Sequence, residues 1–145
     1  SCGSSKLSYQ SKNPKKIQNK SKKSINRFFQ SMSSDERTHW YVNTYSKIAV
    51  NEMKKYGIPA SITMAQGILE SSSGKGTLAL KSNNHFGIRC HTGWKGKKVY
   101  HDDDKRGECF RKYKNPEKSY RDHSIFLVSR DRYNSLFSLN KNNYV

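Results

Sequence analysis

The chain has 145 residues, of which 32% are hydrophobic, and its mean hydropathy is −1.01. This length is enough for one domain with a modest core and too short for two domains of typical size. The 28 basic residues outnumber the 11 acidic ones and give a net charge of +17. No apolar run approaches the roughly 18 residues that a membrane-spanning helix needs. The charge favours a polyanionic partner, whether nucleic acid, anionic lipid or anionic cell wall, and does not choose among them.

The chain begins with a basic segment that lacks helical or strand periodicity. Residues 1–33 are rich in Ser, Lys and Asn, a composition that buries too little apolar surface to offset the entropy of ordering. We therefore predict a disordered basic tether over residues 1–33 and a folded domain over residues 34–145. The first residues, "SCGSSK", resemble the mature start of a bacterial lipoprotein, with Cys2 as the acylated residue and the basic tether as a second membrane signal. An incidental exposed cysteine is the alternative.

Three helices are predicted next. The first begins near Ser33 and stops at Gly57, because glycine favours a helix end. Pro59 separates it from a second helix that Ser61 would cap, and a short third helix covers residues 77–81. Four apolar residues are expected to form the buried stripe of the second helix: Ile62, Ala65, Ile68 and Leu69.

Short strands follow, in the segments "FGIRC", "GKKVYHDD" and "ECFRKY", separated by turns at residues 92–93 and 105–107. Ser119 is expected to cap a last helix that runs through Leu136. The order of elements predicts an α+β fold in which a small β-hairpin lobe accompanies a helical lobe.

Two cysteines flank the predicted hairpin. If Cys2 is acylated, Cys90 and Cys109 form an even pair in an exported protein, and a disulfide at the base of the hairpin is expected. A free, buried pair in a cytosolic protein is the alternative.

Glu70 stands at the end of the apolar stretch "SITMAQGILESSSG", where a helix favours a cation. The partial negative charge of the helix end and the apolar neighbour Leu69 both disfavour an ionised carboxylate there. A carboxyl group that keeps its proton can protonate the leaving oxygen of a glycosidic bond. The alternative is an exposed glutamate in a fraying last turn.

The wider stretch "IPASITMAQGILESSSGKGTLALKSNNHFGI" resembles glycoside hydrolase family 73, the peptidoglycan N-acetylglucosaminidases of flagellar and autolytic systems. The residues that match are Ala65, Gln66, Gly67, Leu69, Glu70, Ser71, Gly74, Gly76, Asn83, Asn84, Phe86, Gly87 and Ile88. The resemblance continues through "WKGKKV", "FRKYKNPEKSYRDHSIFL" and "RYNSLF", and covers about residues 36–140.

The resemblance implies a lysozyme-like fold with an active-site cleft between the helical and β lobes. It implies that Glu70 is the general acid and that Gln66, Asn84 and Phe86 contact or shape the sugar cleft, with Tyr113 at its edge. Turn chemistry for Asn84 and core packing for Phe86 are the simpler interpretations, and they are compatible with these roles.

A second carboxylate is expected within "YHDDDKRGE", where relatives carry an acid that faces the glutamate and activates water. Strand alternation favours Asp103, while Asp102, Asp104 and Glu108 stay open as candidates. An acidic turn paired with neighbouring cations is the structural alternative, and the substrate's own N-acetyl group could replace a second protein carboxylate. No cofactor or metal is expected.

The sequence thus predicts a peptidoglycan hydrolase that cleaves the β-1,4 bond between N-acetylglucosamine and N-acetylmuramic acid. A catalytically impaired relative that only binds cell-wall glycan is the alternative, because relatives continue past "NNYV" with an Ala-Gly-Tyr-Ala segment and this chain is expected to be a shortened form. We expect an exported monomer, held as a lipoprotein at an anionic membrane or cell-wall surface. Specific nucleic-acid binding would rest on basic and aromatic residues alone, and we do not expect it.

Overall fold

The computed structural model of the chain describes residues 22–130. It contains five helices and two strands within that range: α1 (Lys22–Gln30), α2 (Ser34–Tyr56), α3 (Ala60–Ser71), α4 (Thr77–Ser82), β1 (Lys98–His101), β2 (Glu108–Arg111) and α5 (Pro116–Val128). The predicted α+β class is confirmed, with helices dominant and one small antiparallel sheet. The predictions for Cys2 and Leu136 lie outside the described residues.

Helix α1 corrects the prediction that the whole segment before residue 34 lacks regular structure. Ile25, Phe28 and Phe29 have the i, i+3, i+4 spacing of one helical face, and the rings of Phe28 and Phe29 meet edge to face at 5.2 Å. The chain divides into two units between Ser33 and Ser34, and α1 belongs to the first.

Helices α2 and α3 begin and end close to the predicted positions, but the buried face of α3 differs from the prediction. Gly57 follows α2 with φ +84°, and α3 starts at Ala60 after Pro59, without a side-chain cap from Ser61. Leu69, expected in the core, is 78% exposed. The buried residues of α3 are Ala60, Thr63, Met64, Gly67 and Ser71.

The reason for this difference is a close contact between α3 and the tyrosines below it. A Cβ atom on Gly67 would lie 2.7 Å from the hydroxyl of Tyr41 in α2 and 3.3 Å from that of Tyr120 in α5. Only a glycine at position 67 allows this approach, so α3 turns its Gly67 face inward and Leu69 points away from the core. The two hydroxyls are 2.8 Å apart, and that of Tyr41 also lies 2.8 Å from Nδ1 of the buried His85.

The hairpin is shorter than the sequence predicted. β1 and β2 pair antiparallel with Val99 opposite Phe110, and the "FGIRC" segment adds only an isolated bridge between Arg89 and Phe110. Cys90 and Cys109 are joined by a disulfide, and the Cys90 N–H donates to the Cys109 carbonyl at 2.9 Å. The disulfide thereby joins β2, near the turn of the hairpin, to the segment that follows α4.

Helix α5 starts four residues earlier than predicted. Asn115, not Ser119, is its N-cap and accepts a hydrogen bond from the Lys118 N–H at 3.1 Å, with Pro116 in the first turn. α5 packs on α2, where Arg121 donates twice to the buried Glu52 carboxylate at 3.0 and 3.1 Å. Among residues 22–130, no helix combines the length and hydrophobicity that crossing a bilayer requires.

Candidate active site

An open cavity of about 300 Å³ lies where α3, the segment 87–91 and the end of α5 come together. This volume is within the range of small-ligand pockets. Its lining residues are Gln66, Glu70, Gly87, Ile88, Arg89, His91, His123, Phe126, Leu127 and Arg130. Glu70 is the only acid among these described lining residues.

Glu70 is the penultimate residue of α3, and its side chain faces this cavity. Ser72 takes the left-handed conformation with φ 50° and ends the helix immediately after the acid. Within residues 22–130, no hydrogen bond or ion pair engages the Glu70 carboxylate. A Cβ atom on Gly87, whose φ is +60°, would lie 3.9 Å from Glu70 Oε2, so the glycine keeps a second wall of the cavity close to the acid.

Gln66 lies one helical turn before Glu70 and lines the same cavity, as its i, i+4 spacing indicates. Its side-chain Oε1 is 2.7 Å from Nε2 of His123 in α5. A carboxamide oxygen can only accept, so the imidazole carries its proton on Nε2 and donates it to Gln66. The ring of His123 stacks flat on Phe86, with centroids 3.9 Å apart and an interplanar angle of 6°. Burial lowers the pKa of His123 to about 4, which keeps the ring neutral at neutral pH.

Asn84 and Phe86 support the cavity from behind, and neither lines it. Asn84 is 1% exposed; its Nδ2 donates to the carbonyls of Ile88 and Arg111, and its Oδ1 accepts from the Ile88 N–H at 2.9 Å. These bonds fix the turn that carries Gly87 and Ile88 into the cavity wall. Phe86 is 8% exposed, because it is covered by His123 and Tyr120.

Tyr113 lies behind the cavity wall and not at an open edge. Its hydroxyl donates to Asp122 Oδ2 at 2.8 Å, and Arg111 Nη1 donates to the same oxygen at 2.9 Å. These bonds join the end of the hairpin to α5. The expected contact of Tyr113 with sugar stays a prediction beside this structural role.

Three of the four candidate acids of the hairpin are paired with Arg89, and the fourth, Asp102, accepts a hydrogen bond from the Gly107 N–H at 2.6 Å. The Arg89 guanidinium lies 2.7 Å from Glu108, 2.9 Å from Asp104 and 3.4 Å from Asp103. The strand argument that selected Asp103 is wrong, because β1 ends at His101 and Asp103 belongs to the following turn. Glu70 therefore lines the cavity, whereas the described hairpin acids do not line it.

The wall that Arg89 forms is positively charged. His91 and Arg130 line it as well, and the pKa of His91 is lowered first by burial and then by the guanidiniums of Arg111, Arg130 and Arg89. An acid and several cations therefore face the same open space.

Sequence reasoning missed His123 and Arg89. Both lie inside segments that carry the family resemblance, "SYRDHSIFL" and "FGIRC", but neither residue type indicated a role by itself. His123 and Leu127 have i, i+4 spacing, so they share one face of α5, and both line the cavity. That polar residue on an apolar face was the available signal.

The comparisons with known proteins agree with this fold. Residues 46–145 match the family model described as mannosyl-glycoprotein endo-beta-N-acetylglucosaminidase. Over 108 residues the chain is 35% identical to the exo-glucosaminidase LytG of Bacillus subtilis, covering 72% of this chain and 37% of LytG. Over 104 residues it is 32% identical to the peptidoglycan hydrolase FlgJ of Vibrio parahaemolyticus, covering 64% of this chain and 34% of FlgJ.

A solved structure has the same fold. The glycoside hydrolase domain of Salmonella typhimurium FlgJ superposes with a TM-score of 0.63 at 23% identity, covering 78% of this chain and 72% of that domain. The chain belongs to the glucosaminidase family, as the sequence resemblance predicted. It spans about a third of the length of the curated relatives it matches.

Proposed function

We propose that the protein hydrolyses peptidoglycan at the β-1,4 bond between N-acetylglucosamine and N-acetylmuramic acid, with Glu70 as the general acid. The observation that carries this proposal is the position of Glu70. It is a carboxyl group without an ion pair among residues 22–130, at the end of α3 and on a cavity that the segment 87–91 and α5 complete. The relatives named as glucosaminidase and peptidoglycan hydrolase supply the substrate class.

General acid catalysis requires a carboxyl group that reaches the leaving oxygen without first breaking a bond to the protein. Glu70 meets this condition, whereas Glu52 is buried and held by Arg121. In the proposed reaction Glu70 gives its proton to the bridging oxygen as the bond to the anomeric carbon breaks. Water completes the hydrolysis and returns a proton to Glu70.

We further propose that the substrate's own N-acetyl group, not a hairpin carboxylate, assists bond cleavage. Its carbonyl oxygen would attack the anomeric carbon while the leaving oxygen takes the proton, and water would then open the resulting ring with net retention. Two facts support this choice: Glu70 is the only acid among the described lining residues, and Asp103, Asp104 and Glu108 are paired with Arg89. Asp103 remains the competing candidate for activating water.

Action on peptidoglycan takes place outside the cytoplasm, and the Cys90–Cys109 disulfide suits an oxidising compartment. We propose that the net charge of +17 holds the enzyme near anionic cell wall or membrane, and that acylated Cys2 anchors it there.

Digestion of purified peptidoglycan tests the proposal. The products are reduced with borohydride and then hydrolysed in acid. The sugar alcohol formed at the new reducing ends should derive from N-acetylglucosamine, and N-acetylmuramic acid should stay unreduced. The first-formed anomer should be β. Reduced muramic acid would contradict the proposed bond, an α product would favour Asp103, and binding to peptidoglycan without new reducing ends would indicate a glycan-binding module.

A further inference from the structure

A neutral hydrogen-bonded pair, Gln66 and His123, lies beside the proposed general acid. His123 uses its Nε2–H on the Gln66 oxygen at 2.7 Å, which leaves the amide nitrogen of Gln66 as the free end of that side chain. Within residues 22–130, this nitrogen has no hydrogen-bond partner, although it lies on the cavity. Two N–H donors are therefore available to a ligand in the cavity.

The orientation of this carboxamide is set from behind. His123 stacks flat on Phe86, and Phe86 meets the buried Tyr120 ring edge to face at 4.8 Å. The imidazole is thus held in one plane by packing. A glutamine without such support would lose rotamer entropy each time it bound a ligand, and preorganisation removes much of that penalty.

The surroundings of the Gln66 amide suit a carbonyl group that carries a methyl group. Ile88, Phe126 and Leu127 give the same cavity an apolar wall. A sugar hydroxyl would use the donor and leave the apolar wall unused, whereas an acetamido group uses both. Gln66 and Glu70 are one helical turn apart on the same cavity, and the 2-acetamido group and the glycosidic oxygen are on neighbouring carbons of one sugar, so one bound sugar could meet both side chains.

We propose that His123 is a positioning residue that holds Gln66 so that its amide N–H donates to the carbonyl oxygen of the substrate's 2-acetamido group. The proposal rests on the proposed function for the identity of the substrate. It assigns recognition of the N-acetyl group to Gln66 and assigns to His123 a role exerted only through Gln66.

A double-mutant cycle on glycan binding tests this. In full-length Glu70→Gln protein, which should bind without cleaving, the affinities of chitotetraose and cellotetraose are measured by calorimetry; the second sugar has a hydroxyl in place of each acetamido group. His123→Phe keeps the stacked ring and removes the donor, and Gln66→Met removes the carboxamide. Each should weaken chitotetraose binding about tenfold, the effect of one hydrogen bond, and should not weaken cellotetraose binding.

The decisive result is non-additivity. The double variant should bind chitotetraose no more weakly than Gln66→Met alone, and His123→Gln, which restores an N–H donor, should recover most of the affinity. Losses that multiply in the double variant, or an unchanged affinity in His123→Phe, would overturn the proposal.

A second measurement leaves these two side chains intact. In ¹⁵N-labelled Glu70→Gln protein, the side-chain amide resonances of Gln66 should shift on addition of chitotetraose and stay in place with cellotetraose. Identical responses to both sugars would contradict the proposal. Binding is measured without turnover, so the two proposals can fail separately. Coupling between Gln66 and His123 in a protein whose wild type is inactive would refute the hydrolysis and preserve the inference. An active wild type without this coupling would preserve the hydrolysis and refute the inference.

Discussion

The end of α3 and the turn between β1 and β2 both carry acids, yet the two regions treat them in opposite ways. Glu70 lies on the cavity with no ion pair among residues 22–130, whereas Asp103, Asp104 and Glu108 surround one guanidinium, that of Arg89. In a protein with a net charge of +17, an acid is easily paired, yet Glu70 shares its cavity with Arg89 and Arg130 and forms no ion pair with either.

The support beneath the two regions also differs. Below α3 lies a buried set of polar rings, in which Tyr41, His85 and Tyr120 contact one another through 2.8 Å hydrogen bonds. The hairpin is held by the Cys90–Cys109 disulfide and by ion pairs on the surface. We conclude that the buried packing below α3 positions Glu70, whereas the ion pairs of Asp103, Asp104 and Glu108 with Arg89 stabilise the hairpin. Three predictions separate these interpretations.

The largest expected effect is the response of the region below α3 to acid. Burial lowers the pKa of His85 to about 4 from an ordinary value of 6.5. Between pH 6.5 and 4 the imidazole is therefore protonated in the unfolded chain and neutral in the folded chain. Stability from this residue is therefore complete above pH 6.5 and falls as the pH drops to 4, by on the order of 3 kcal/mol. Urea unfolding at several pH values should show a shallower decline for His85→Gln than for the wild type. The explanation fails if His85→Gln and the wild type lose the same free energy between pH 7 and 4.

A smaller effect is expected from filling the contact between α3 and the tyrosines. In Gly67→Ala the added Cβ would lie 2.7 Å from the Tyr41 hydroxyl, and this overpacking should lower the free energy of unfolding by about 2 kcal/mol. The control is the same substitution in a Tyr41→Phe background, where the hydroxyl is absent and the cost of adding the methyl group should fall below about 1 kcal/mol. Equal costs in the two backgrounds, measured by urea unfolding, would show that the hydroxyl does not select the face of α3.

The smallest effect is expected in the hairpin. Asp103 is 55% exposed and its pair with Arg89 spans 3.4 Å, so Asp103→Asn should change the unfolding free energy by less than about 1 kcal/mol. If the substrate's acetamido group assists cleavage, the variant should also retain peptidoglycan hydrolysis within about threefold of the wild-type rate. A loss above roughly a hundredfold in a folded Asp103→Asn protein would return the water-activating role to Asp103.

The sequence was most informative where local chemistry decides the structure. Gly57 and Pro59 marked the boundary between α2 and α3, and the spacing of Gln66 and Glu70 placed both on one face. It failed for Leu69, because the inward face of α3 is selected by the tyrosine hydroxyls that meet Gly67, and those come from α2 and α5. Periodicity within one helix does not contain that information.

In the site, too, the sequence predicted local features and missed tertiary contacts. The motif selected Glu70 as the candidate acid, and the side chain lies on a cavity. The pairing of His123 with Gln66 joins residues 57 positions apart, and the choice of Asp103 assumed a strand that in fact ends at His101. Both depend on tertiary contacts between elements that are distant in sequence.

The most direct test of the central claim is the rate at which Glu70→Gln releases reducing ends from purified peptidoglycan, compared with Glu117→Gln. Both variants replace an exposed glutamate by its neutral isostere, but Glu117 lies in the first turn of α5 and does not line the cavity. We expect Glu70→Gln to lose at least about a hundredfold in rate with an unchanged melting temperature, and Glu117→Gln to keep the wild-type rate. Equal activity of the two variants would contradict the assignment of Glu70 as the general acid.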